Sequence, residues 1–556
     1  MTQAYTPPAD ARTAASLLLL RDGEAGLEVL MLRRAERDGD LRSGAAVFPG
    51  GVVDRRDREA HPHSTASDDR AWSERLGLAA GGLDYAIAAL RETFEEVGLL
   101  LARQHDGQAF AAHGRIDALF PWRARLNRSE CSAAELAQAF GLHWDTAALA
   151  YYSHWLTPPG VPKRFDTRFF CALAPQQQVA QADLGEAVEL MWLTPAAALA
   201  PERGLKLLPV TRRTLQELSR FGDAGSAYGE ALERRSISLT MPRVARSRKG
   251  PRILLPDELP HAEVGRLDPE GRADVWCEIE PGRPVQLSPR VLRVTAPNPG
   301  PMTGPGTNSY LVGDPSVNRW TVIDPGPAIE AHVQALVAAA PGPIERILVT
   351  HTHRDHSPAA APLAAATAAP VGGRVTPNPM WQDTSFAPAF EPADGERIVL
   401  GPGATLRVIH TPGHASNHLC YLLEEEQLLF TGDHVMQGST VVINPPDGDM
   451  SAYLRSLQSL LDGEALEWLA PGHGFLVGQP QAVLRALIAH RLKREAKVLQ
   501  ALQAIGSGSI EELLPRVYDD VPAALHPVAA RSLLAHLLKL EQDGAASLRG
   551  EVWSSR

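Results

Sequence analysis

The segment Val349-Thr350-His351-Thr352-His353-Arg354-Asp355-His356 decides how the central part of this chain folds. It follows an apolar run, residues 347–349, that is typical of a buried β-strand. In an extended backbone, side chains two residues apart point the same way, so His351 and His353 can bind one metal ion together. Asp355 and His356 lie on the turn that follows and can reach a second ion. The spacing therefore predicts a dinuclear metal site at the end of a strand.

Three more potential metal ligands follow along the chain, each in a similar setting. His414 lies in Thr411-Pro412-Gly413-His414, Asp433 in Phe430-Thr431-Gly432-Asp433, and His473 in Ala470-Pro471-Gly472-His473. Each motif follows an apolar segment and contains glycine or proline, which is typical of turns where strand ends expose side chains. A lone histidine is more often a satisfied core or surface residue, but that alternative does not account for the whole set.

The H-x-H-x-D-H pattern and its three later motifs resemble the metallo-β-lactamase superfamily over roughly residues 290–480. The resemblance implies an αββα sandwich that holds two metal ions and catalyses hydrolysis. Imidazole and carboxylate ligands suit zinc, with manganese or iron as alternatives. Two ions roughly 3.5–4 Å apart share a water, lower its pKa towards about 7 and polarise the group under attack. By resemblance, the first site is His351, His353 and His414, the second is Asp355, His356 and His473, Asp433 bridges them, and Asp355 is also catalytic.

Flanking sequence narrows this resemblance to one branch. Asn298-Pro299-Gly300-Pro301 and Gly306-Thr307-Asn308-Ser309-Tyr310-Leu311-Val312 are similar to the opening strands of the group that includes lactamase-β-like protein 2, some of whose members are single-strand endoribonucleases. Residues 481–505, 509–518 and 527–543 are predicted helices before a hairpin-like tail, similar to the winged-helix domain of that group. Acidic residues in this domain, such as Glu511, Glu512, Asp519 and Asp520, weaken the electrostatic attraction that nucleic-acid phosphates would need. Packing and homo-oligomerisation are its expected roles, and RNA binding is a weakly supported alternative.

The first half of the chain carries a second signature, Arg91-Glu92-Thr93-Phe94-Glu95-Glu96-Val97-Gly98-Leu99, which ends a helical pattern that begins near Leu83. Glu92, Glu95 and Glu96 share one helix face, where their charges repel unless cations neutralise them. The residues themselves therefore imply bound Mg²⁺ or Mn²⁺, hard ions that prefer oxygen ligands. A solvated acidic face is the alternative, and Phe48-Pro49-Gly50-Gly51 upstream argues against it.

Together these strings resemble an interrupted Nudix box, with Gly51 as its first glycine and residues 91–98 as its second half. About forty residues, 52–90, replace the usual short spacer, and the usual intermediate glutamate has no clear counterpart. The interruption, with Trp155-Leu156-Thr157-Pro158 and Arg164-Phe165-Asp166-Thr167-Arg168-Phe169-Phe170, is similar to a coenzyme A diphosphatase branch of the Nudix family. Residues 186–192 complete this pattern over about residues 11–230.

The Nudix resemblance implies attack of water on a diphosphate, a task that several carboxylates and their metal ions perform together. Glu92, Glu95 and Glu96 would hold Mg²⁺ or Mn²⁺, with the Gly51 carbonyl as a further ligand. Glu92 is also the candidate catalytic base, and Arg91 is expected to orient a glutamate. The alternative is a domain that has lost catalysis and only senses a ligand.

Length and composition set the wider frame. A chain of 556 residues is longer than a domain with a single hydrophobic core usually is, so about three domains are expected. A net charge of −11 argues against a general binder of polyanions, and no stretch approaches a membrane span. The apolar run at residues 16–20 is too short for a signal peptide and is better interpreted as a strand. The four cysteines, Cys131, Cys171, Cys277 and Cys420, are scattered without a CxxC pair, as expected of buried thiols in the cytoplasm.

The predicted architecture is α/β and multidomain. It comprises a Nudix α/β/α sandwich over residues 1–235, a linker or extended flap over 236–290, a metallo-β-lactamase αββα sandwich over 291–480 and a winged-helix cap over 481–556. The linker carries a basic cluster that is expected to be solvated: Arg243, Arg246, Arg248, Lys249 and Arg252.

The expected function is that of a bifunctional metal-dependent hydrolase. A binuclear zinc centre would cleave ester, thioester or phosphodiester bonds, and a Mg²⁺-dependent Nudix domain would cleave diphosphates. The expected substrates are small molecules of the nucleotide diphosphate or coenzyme A type, including acyl-CoA. Two alternatives stay open: a single-strand endoribonuclease whose Nudix domain acts on nucleotide diphosphates, and a Nudix domain that only senses its ligand.

Overall fold

A computed structural model describes residues 4–35, 43–65, 68–110, 116–182 and 187–556. The chain divides into two compact units. The amino-terminal unit is Met1–Val244 with Pro251–Pro256 and Glu270–Ala273, and the carboxy-terminal unit is Ala245–Gly250 with Asp257–Pro269 and Asp274–Arg556. Over the residues so described, no helix is both long enough and apolar enough to cross a membrane.

The strands of the amino-terminal unit are β1 Ala11–Gly23, β2 Gly26–Arg34, β3 Ala45–Val47, β4 Gly50–Val52, β5 Ala102–Gln104, β6 Leu142–Trp144, β7 Ala150–Leu156, β8 Arg164–Leu173, β9 Ala187–Leu193, β10 Lys206–Leu207 and β11 Leu239–Thr240. Nine of them form one mixed sheet whose main path runs β10-β3-β2-β1-β8-β7-β11, with β4 paired to β1 and β9 to β2, and β5 pairs with β6 in a separate sheet. Its helices are α1 Asp69–Leu76, α2 Gly82–Val97, α3 Ile116–Asn127, α4 Ala133–Phe140, α5 Pro195–Leu199, α6 Pro209–Leu218 and α7 Ala224–Glu233, with a 3₁₀ helix at Arg55–His63.

Strand β1 shows why this sheet needs helices on both faces. Leu17 and Leu19 belong to the core that contains α2, whereas Leu18 and Leu20 belong to the core on the opposite face. All four side chains are fully buried, as expected for a central strand covered on both sides. The prediction of a strand at residues 16–20 is confirmed. Of the predicted segment 186–192, Glu186 lies outside the described residues.

The stretch predicted as a linker or flap contains regular structure: β12 Arg243–Ser247, β13 Gly250–Leu254, α8 His261–Leu267 and β14 Pro284–Ser288. Helix α8 is held by a buried ion pair in which the Arg293 guanidinium donates to both oxygens of Glu263, at 2.6 and 2.9 Å. Arg248 of the basic cluster lies 3.1 Å from Glu280. Part of the stretch therefore packs into the carboxy-terminal unit.

The carboxy-terminal unit contains two six-stranded sheets, ordered β14-β15-β16-β17-β18-β19 and β20-β21-β22-β23-β24-β25. The remaining strands are β15 Val291–Thr295, β16 Asn308–Asp314, β17 Arg319–Ile323, β18 Ile344–Leu348, β19 Val371–Gly372, β20 Arg397–Gly401, β21 Ala404–His410, β22 Leu419–Leu423, β23 Leu428–Gly432, β24 Trp468–Pro471 and β25 Val477–Gly478. Helices α9 Glu330–Ala339 and α10 Ala360–Thr367 cover the first sheet. Helix α11 Met450–Asp462 covers the second.

One core lies between these two sheets and joins Tyr310 of β16 to Tyr421 of β22 and Phe430 of β23. Each sheet also forms one further core with the helices that cover it. This is the predicted αββα sandwich. The four cysteines are buried and free, as expected.

The chain ends in a small module of α12 Pro480–Ile505, α13 Ile510–Val517, α14 His526–Gln542 and the strands β26 Ser507–Gly508, β27 Ala546–Arg549 and β28 Val552–Ser555. Val498, Leu513, Leu533 and Trp553 form its core. The three predicted helices and the hairpin-like tail are confirmed, and together they form a winged helix.

Candidate metal centre

Four strand ends bring the predicted ligands of the sandwich together. The first four ligands follow β18, and the others follow β21, β23 and β24. They form two groups, and within each group the potential ligand atoms lie within 4.8 Å of one another. One group is His351, His353 and His414; the other is Asp355, His356, Asp433 and His473.

The first group is a cluster of three imidazoles. The Nδ1 atom of His353 lies 2.9 Å from Nε2 of His351 and 3.0 Å from Nε2 of His414. Burial lowers the pKa of His351 well below its usual range, and the neighbouring imidazoles of His356 and His353 lower it further. Three neutral imidazoles with ring nitrogens this close together form a ligand set that suits a metal ion such as zinc.

Asp433 joins the two groups. Its Oδ1 lies 3.4 Å from Nε2 of both His356 and His473, and its Oδ2 lies 3.8 Å from Nε2 of His414. The other carboxylate, Asp355, lies 3.4 Å from Nε2 of His473. Asp433 therefore lies close to ligands of both groups, and its bridging of two ions stays a prediction.

Hydrogen bonds on the outer ring nitrogens determine which nitrogens face the centre. When Nδ1–H donates outward, the lone pair of Nε2 points inward, as metal-binding histidines require. Three histidines have such outer acceptors: Val442 O for His414 at 2.8 Å, Asp324 Oδ2 for His356 at 2.8 Å and Gly306 O for His473 at 3.2 Å.

The inner atoms fit divalent cations. Nε2 of His356, Nε2 of His473 and Oδ1 of Asp433 are buried and have no hydrogen-bond partner among the described residues. Burial alone disfavours a charged imidazole, yet Asp355, Asp433 and Asp324 raise the pKa of His356 well above its usual range. The pKa of His473 is likewise raised to about 9, against burial, mainly by Asp433. The carboxylates thus stabilise positive charge at the positions where metal ions would lie.

The amino-terminal unit holds the second set of predicted ligands on α2. The Arg91 guanidinium donates from Nη1 to Glu92 at 2.8 Å and to Glu95 at 3.1 Å. Glu96 instead accepts from the backbone N–H of Gly50 at 2.8 Å. The three glutamates are not among the groups of ligand atoms that lie within 4.8 Å of one another in the described part of the chain. Glu92 and Glu95 are therefore brought together at Arg91, and Glu96 is anchored separately.

A backbone cradle adjoins the Glu92 carboxylate. A Cβ atom added at Gly51 would lie about 2.4 Å from this carboxylate, so the Glu92 side chain lies directly against the backbone of Gly51. Glu92, Glu95 and Arg91 line a cavity of about 280 Å³. Carboxylate oxygens beside a bare backbone segment are a donor set that suits Mg²⁺ or Mn²⁺.

Sequence reasoning missed Asp57, which binds the other side of Arg91. Its buried carboxylate accepts from Nε of Arg91 at 2.7 Å and from Nη2 at 3.1 Å. The usual intermediate glutamate of the box has no clear counterpart in the sequence, and in the structure Asp57 is a carboxylate that pairs with Arg91. The available signal was an acidic residue six positions after Gly51, within the segment 52–90 that replaces the usual short spacer.

Comparison with known proteins agrees with this geometry. Residues 302–473 match the family model of the metallo-beta-lactamase superfamily. An atrochrysone carboxyl ACP thioesterase from Aspergillus chevalieri is 33% identical over 48% of this chain and 86% of its own length. A beta-lactamase-like protein 2 homolog from Drosophila melanogaster is 31% identical over 47% of this chain and 90% of its own length. The chain belongs to the metallo-β-lactamase superfamily.

The other parts of this metallo-β-lactamase protein also match family models. Residues 59–207 match the NUDT19 Nudix domain, and residues 509–553 match the beta-lactamase associated winged helix domain. A NUDIX hydrolase from Alicyclobacillus acidocaldarius is 28% identical over 41% of this chain and 97% of its own, with a TM-score of 0.34. The protein is thus a hydrolase in which a Nudix domain, a metallo-β-lactamase domain and a winged helix are fused.

Sequence reasoning also missed Asp324, which supports the metallo-β-lactamase centre from outside. Its carboxylate accepts from the backbone N–H and the hydroxyl of Thr350, both at 2.7 Å, and from Nδ1 of His356. Asp324 immediately follows β17, which pairs with β18. A polar residue at the end of the neighbouring strand was the available signal.

We expect Asp324→Asn to weaken metal binding by about 10- to 100-fold, because outer partners fix the orientation and basicity of a metal-binding histidine. Asparagine suits this substitution because Asp324 has a φ of 51°, a left-handed conformation that asparagine tolerates. Competition with a chromogenic chelator measures the affinity. Asp462→Asn, at the exposed end of α11, is the matched control and should bind metal like the wild type. Unchanged affinity in Asp324→Asn would contradict the role given to Asp324.

His418 and His434 lie in the core, outside both groups of ligands. His418 is fully buried, stacks against His351 at 5.0 Å between ring centroids and shares a hydrogen bond with Thr411. His434 is fully buried too and contacts Tyr453 edge to face. Their placement agrees with their exclusion from the predicted ligands.

The winged helix contacts the segment beside the metal centre. Gln382 forms an isolated β-bridge with His353, and the preceding Trp381 is half exposed. The guanidinium of Arg531, on α14, lies 4.8 Å from the centre of the Trp381 ring. The carboxy-terminal module therefore contacts Trp381, whose neighbour Gln382 pairs with the predicted ligand His353.

Proposed function

We propose that the metallo-β-lactamase domain hydrolyses acyl thioesters of the coenzyme A type and that the Nudix domain hydrolyses a diphosphate bond in the same class of molecule. The observation that carries the first half is the convergence of His351, His353, His414, Asp355, His356, Asp433 and His473 at one end of the sandwich. The names of the thioesterase relatives support the choice of a thioester. The strings similar to a coenzyme A diphosphatase support the choice of coenzyme A.

In the metallo-β-lactamase domain, the two groups of ligands would hold two divalent ions, with zinc as the proposed metal. Such ions, when bound, lower the pKa of a water and polarise the carbonyl under attack. Asp433 holds the two groups in register through its two oxygens. Asp355 is the more accessible carboxylate, because 28% of its side chain is exposed against 14% for Asp433. We assign to an Asp355 oxygen the role of holding the proton that the attacking water gives up.

In the Nudix domain, Glu92, Glu95 and Glu96 would hold Mg²⁺ or Mn²⁺, which neutralises charge on diphosphate oxygens. Arg91 keeps Glu92 and Glu95 in place while Asp57 fixes Arg91 from behind. Glu92 is proposed as the base because it lines the cavity of about 280 Å³ and would accept the proton of the attacking water.

The charges of the winged helix favour a packing role over RNA binding. Arg494 donates to both oxygens of Asp520, Lys497 binds Asp519, and Lys539 binds Glu495 and Asp543. Cations that are already neutralised within the module contribute little to the attraction of a phosphate chain. A small-molecule thioester is therefore preferred to single-stranded RNA as the substrate.

Two separable activities are expected when the full-length protein, supplied with Zn²⁺ and Mg²⁺, is incubated with an acyl-CoA and the products are followed by mass spectrometry. Asp433→Ala should abolish only the release of free CoA, and Glu95→Gln should abolish only the release of phosphopantetheine products. Glu59→Gln, an exposed change in the Nudix domain, and Asp462→Asn are the matched controls.

The two halves of the proposal fail in different ways. Intact thioester with active diphosphate cleavage would overturn the thioesterase assignment alone, and the reverse would overturn the diphosphatase assignment alone. Cleavage of single-stranded RNA that is lost in Asp433→Ala, with acyl-CoA left intact, would replace the thioester by a phosphodiester substrate.

A further inference from the structure

The amino-terminal unit contains two adjoining cavities whose described lining residues are all different from those of the glutamate site. Their volumes are about 310 and 460 Å³, and both are lined by Glu74 and Ile237. The glutamate cavity is lined by a different set of residues that includes Glu92 and Glu95. Combined volumes of this size lie in the range of small-molecule sites.

A buried arginine forms part of the larger cavity. Arg168 on β8 is only 1% exposed and lines this cavity together with His154. Its Nη1 donates to the hydroxyl of Tyr151 at 3.1 Å, but its Nε and Nη2 have no hydrogen-bond partner within the part of the chain that the structure describes. Buried donors without acceptors are costly, so an added acceptor would stabilise this site.

The nearest carboxylate is already engaged by other groups. Asp166, two residues before Arg168, accepts from Tyr5 at 2.7 Å and is hydrogen-bonded to Nε2 of His154 at 2.6 Å. Its negative charge acts on Arg168 over a distance, but no oxygen of Asp166 lies within 4.0 Å of the guanidinium nitrogens among the ion pairs of the described residues. The open hydrogen-bonding positions of Arg168 are therefore not filled by Asp166.

The smaller cavity adds positive charge with little to balance it. Arg75, Arg234 and Arg235 line it, and among the described residues Glu74 is the only acid that lines either cavity. Arg234 is neutralised by Glu230 at 2.9 Å, whereas Arg75 and Arg235 have no ion pair with another described residue. Burial, and to a smaller extent Arg235, lowers the pKa of Arg75. Two arginines without ion pairs thus line the smaller cavity, which shares Glu74 and Ile237 with the cavity that Arg168 lines.

The remaining lining suits the organic part of a ligand. Leu76, Leu78, Ile237, Leu239 and the ring of Tyr5 line the larger cavity. We propose that these cavities form a second binding site of the Nudix domain, which takes an organic phosphate with its phosphate at Arg75, Arg168 and Arg235. Arginine favours phosphate because its planar group of donors matches phosphate oxygens. This site requires no metal ion and is independent of the reaction proposed above.

Calorimetric titration of the full-length protein tests this site, with AMP in one arm and inorganic phosphate in the other. We expect AMP to bind the wild type and to bind Arg75→Gln/Arg235→Gln at least about tenfold more weakly. Arg12→Gln/Arg203→Gln is the matched control, because both residues are exposed arginines of the same unit and neither is among the described residues that line the two cavities. Arg168→Lys keeps the charge but loses the planar donors and should weaken AMP as well. Its thermal unfolding reports whether it is folded.

The remaining outcomes each decide the proposal. Unchanged AMP affinity in Glu95→Gln supports a site apart from the glutamates, and loss of binding in that variant would overturn it. Equal affinity for AMP and inorganic phosphate would overturn the assignment of an organic ligand. Equal affinity of the wild type and Arg75→Gln/Arg235→Gln, or no binding of AMP at millimolar concentration, would overturn the site itself.

Discussion

Asp433→Ala is expected to lower kcat/KM for thioester hydrolysis by at least about a thousandfold. The substitution removes the carboxylate that faces both sets of ligands, and the metal ions held there would stabilise the transition state by several kcal/mol. Asp433 lies within 3.4 Å of His356 and His473 and 3.8 Å of His414. The loss should therefore extend to both metal positions. Elemental analysis of the purified variant measures metal content, and steady-state kinetics measures the rate.

The control for this prediction is Asp462→Asn, which removes a carboxylate charge from the same unit at an exposed position where its partner is Gln458. It should retain the metal content and activity of the wild type. Full thioesterase activity in Asp433→Ala would contradict the bridging role of Asp433. Full metal content with lost activity would restrict that role to catalysis.

Asp57→Ala is expected to destabilise the amino-terminal unit by about 3 kcal/mol, because it breaks a buried ion pair and leaves the Arg91 guanidinium short of acceptors. Arg91 keeps its contacts with Glu92 and Glu95, which places the expected loss at the lower end for a buried pair. Urea unfolding, followed by a probe in the amino-terminal unit, measures the free energy of unfolding.

The same substitution should reduce diphosphate hydrolysis, because Arg91 then no longer holds Glu92 and Glu95 at fixed positions. Glu59→Gln is the matched control, because Glu59 is an exposed residue of the same 3₁₀ helix. Its stability and activity are expected to equal those of the wild type. A change of less than about 0.5 kcal/mol in Asp57→Ala would show that Arg91 does not depend on this pair.

The sequence by itself determined the three kinds of domain, the strand at residues 16–20, the three helices of the winged helix and the candidate ligands of both sites. These features are local, because a strand end, a helix face and a glycine-rich turn can each be predicted from the pattern of a few neighbouring residues. The H-x-H-x-D-H segment is the clearest case, since His351 and His353 face the same way because they are two residues apart in an extended backbone.

Only the tertiary structure decided which distant groups complete these sites. Asp324 reaches His356 across 32 positions of the chain, and Asp57 reaches Arg91 across 34. It also decided that Glu96 accepts from the backbone N–H of Gly50, and that Arg75, Arg168 and Arg235 line adjoining cavities. Such contacts depend on how strands and loops pack against one another. Because the partners are far apart in the sequence, no local pattern predicts which residue a buried charged group will contact.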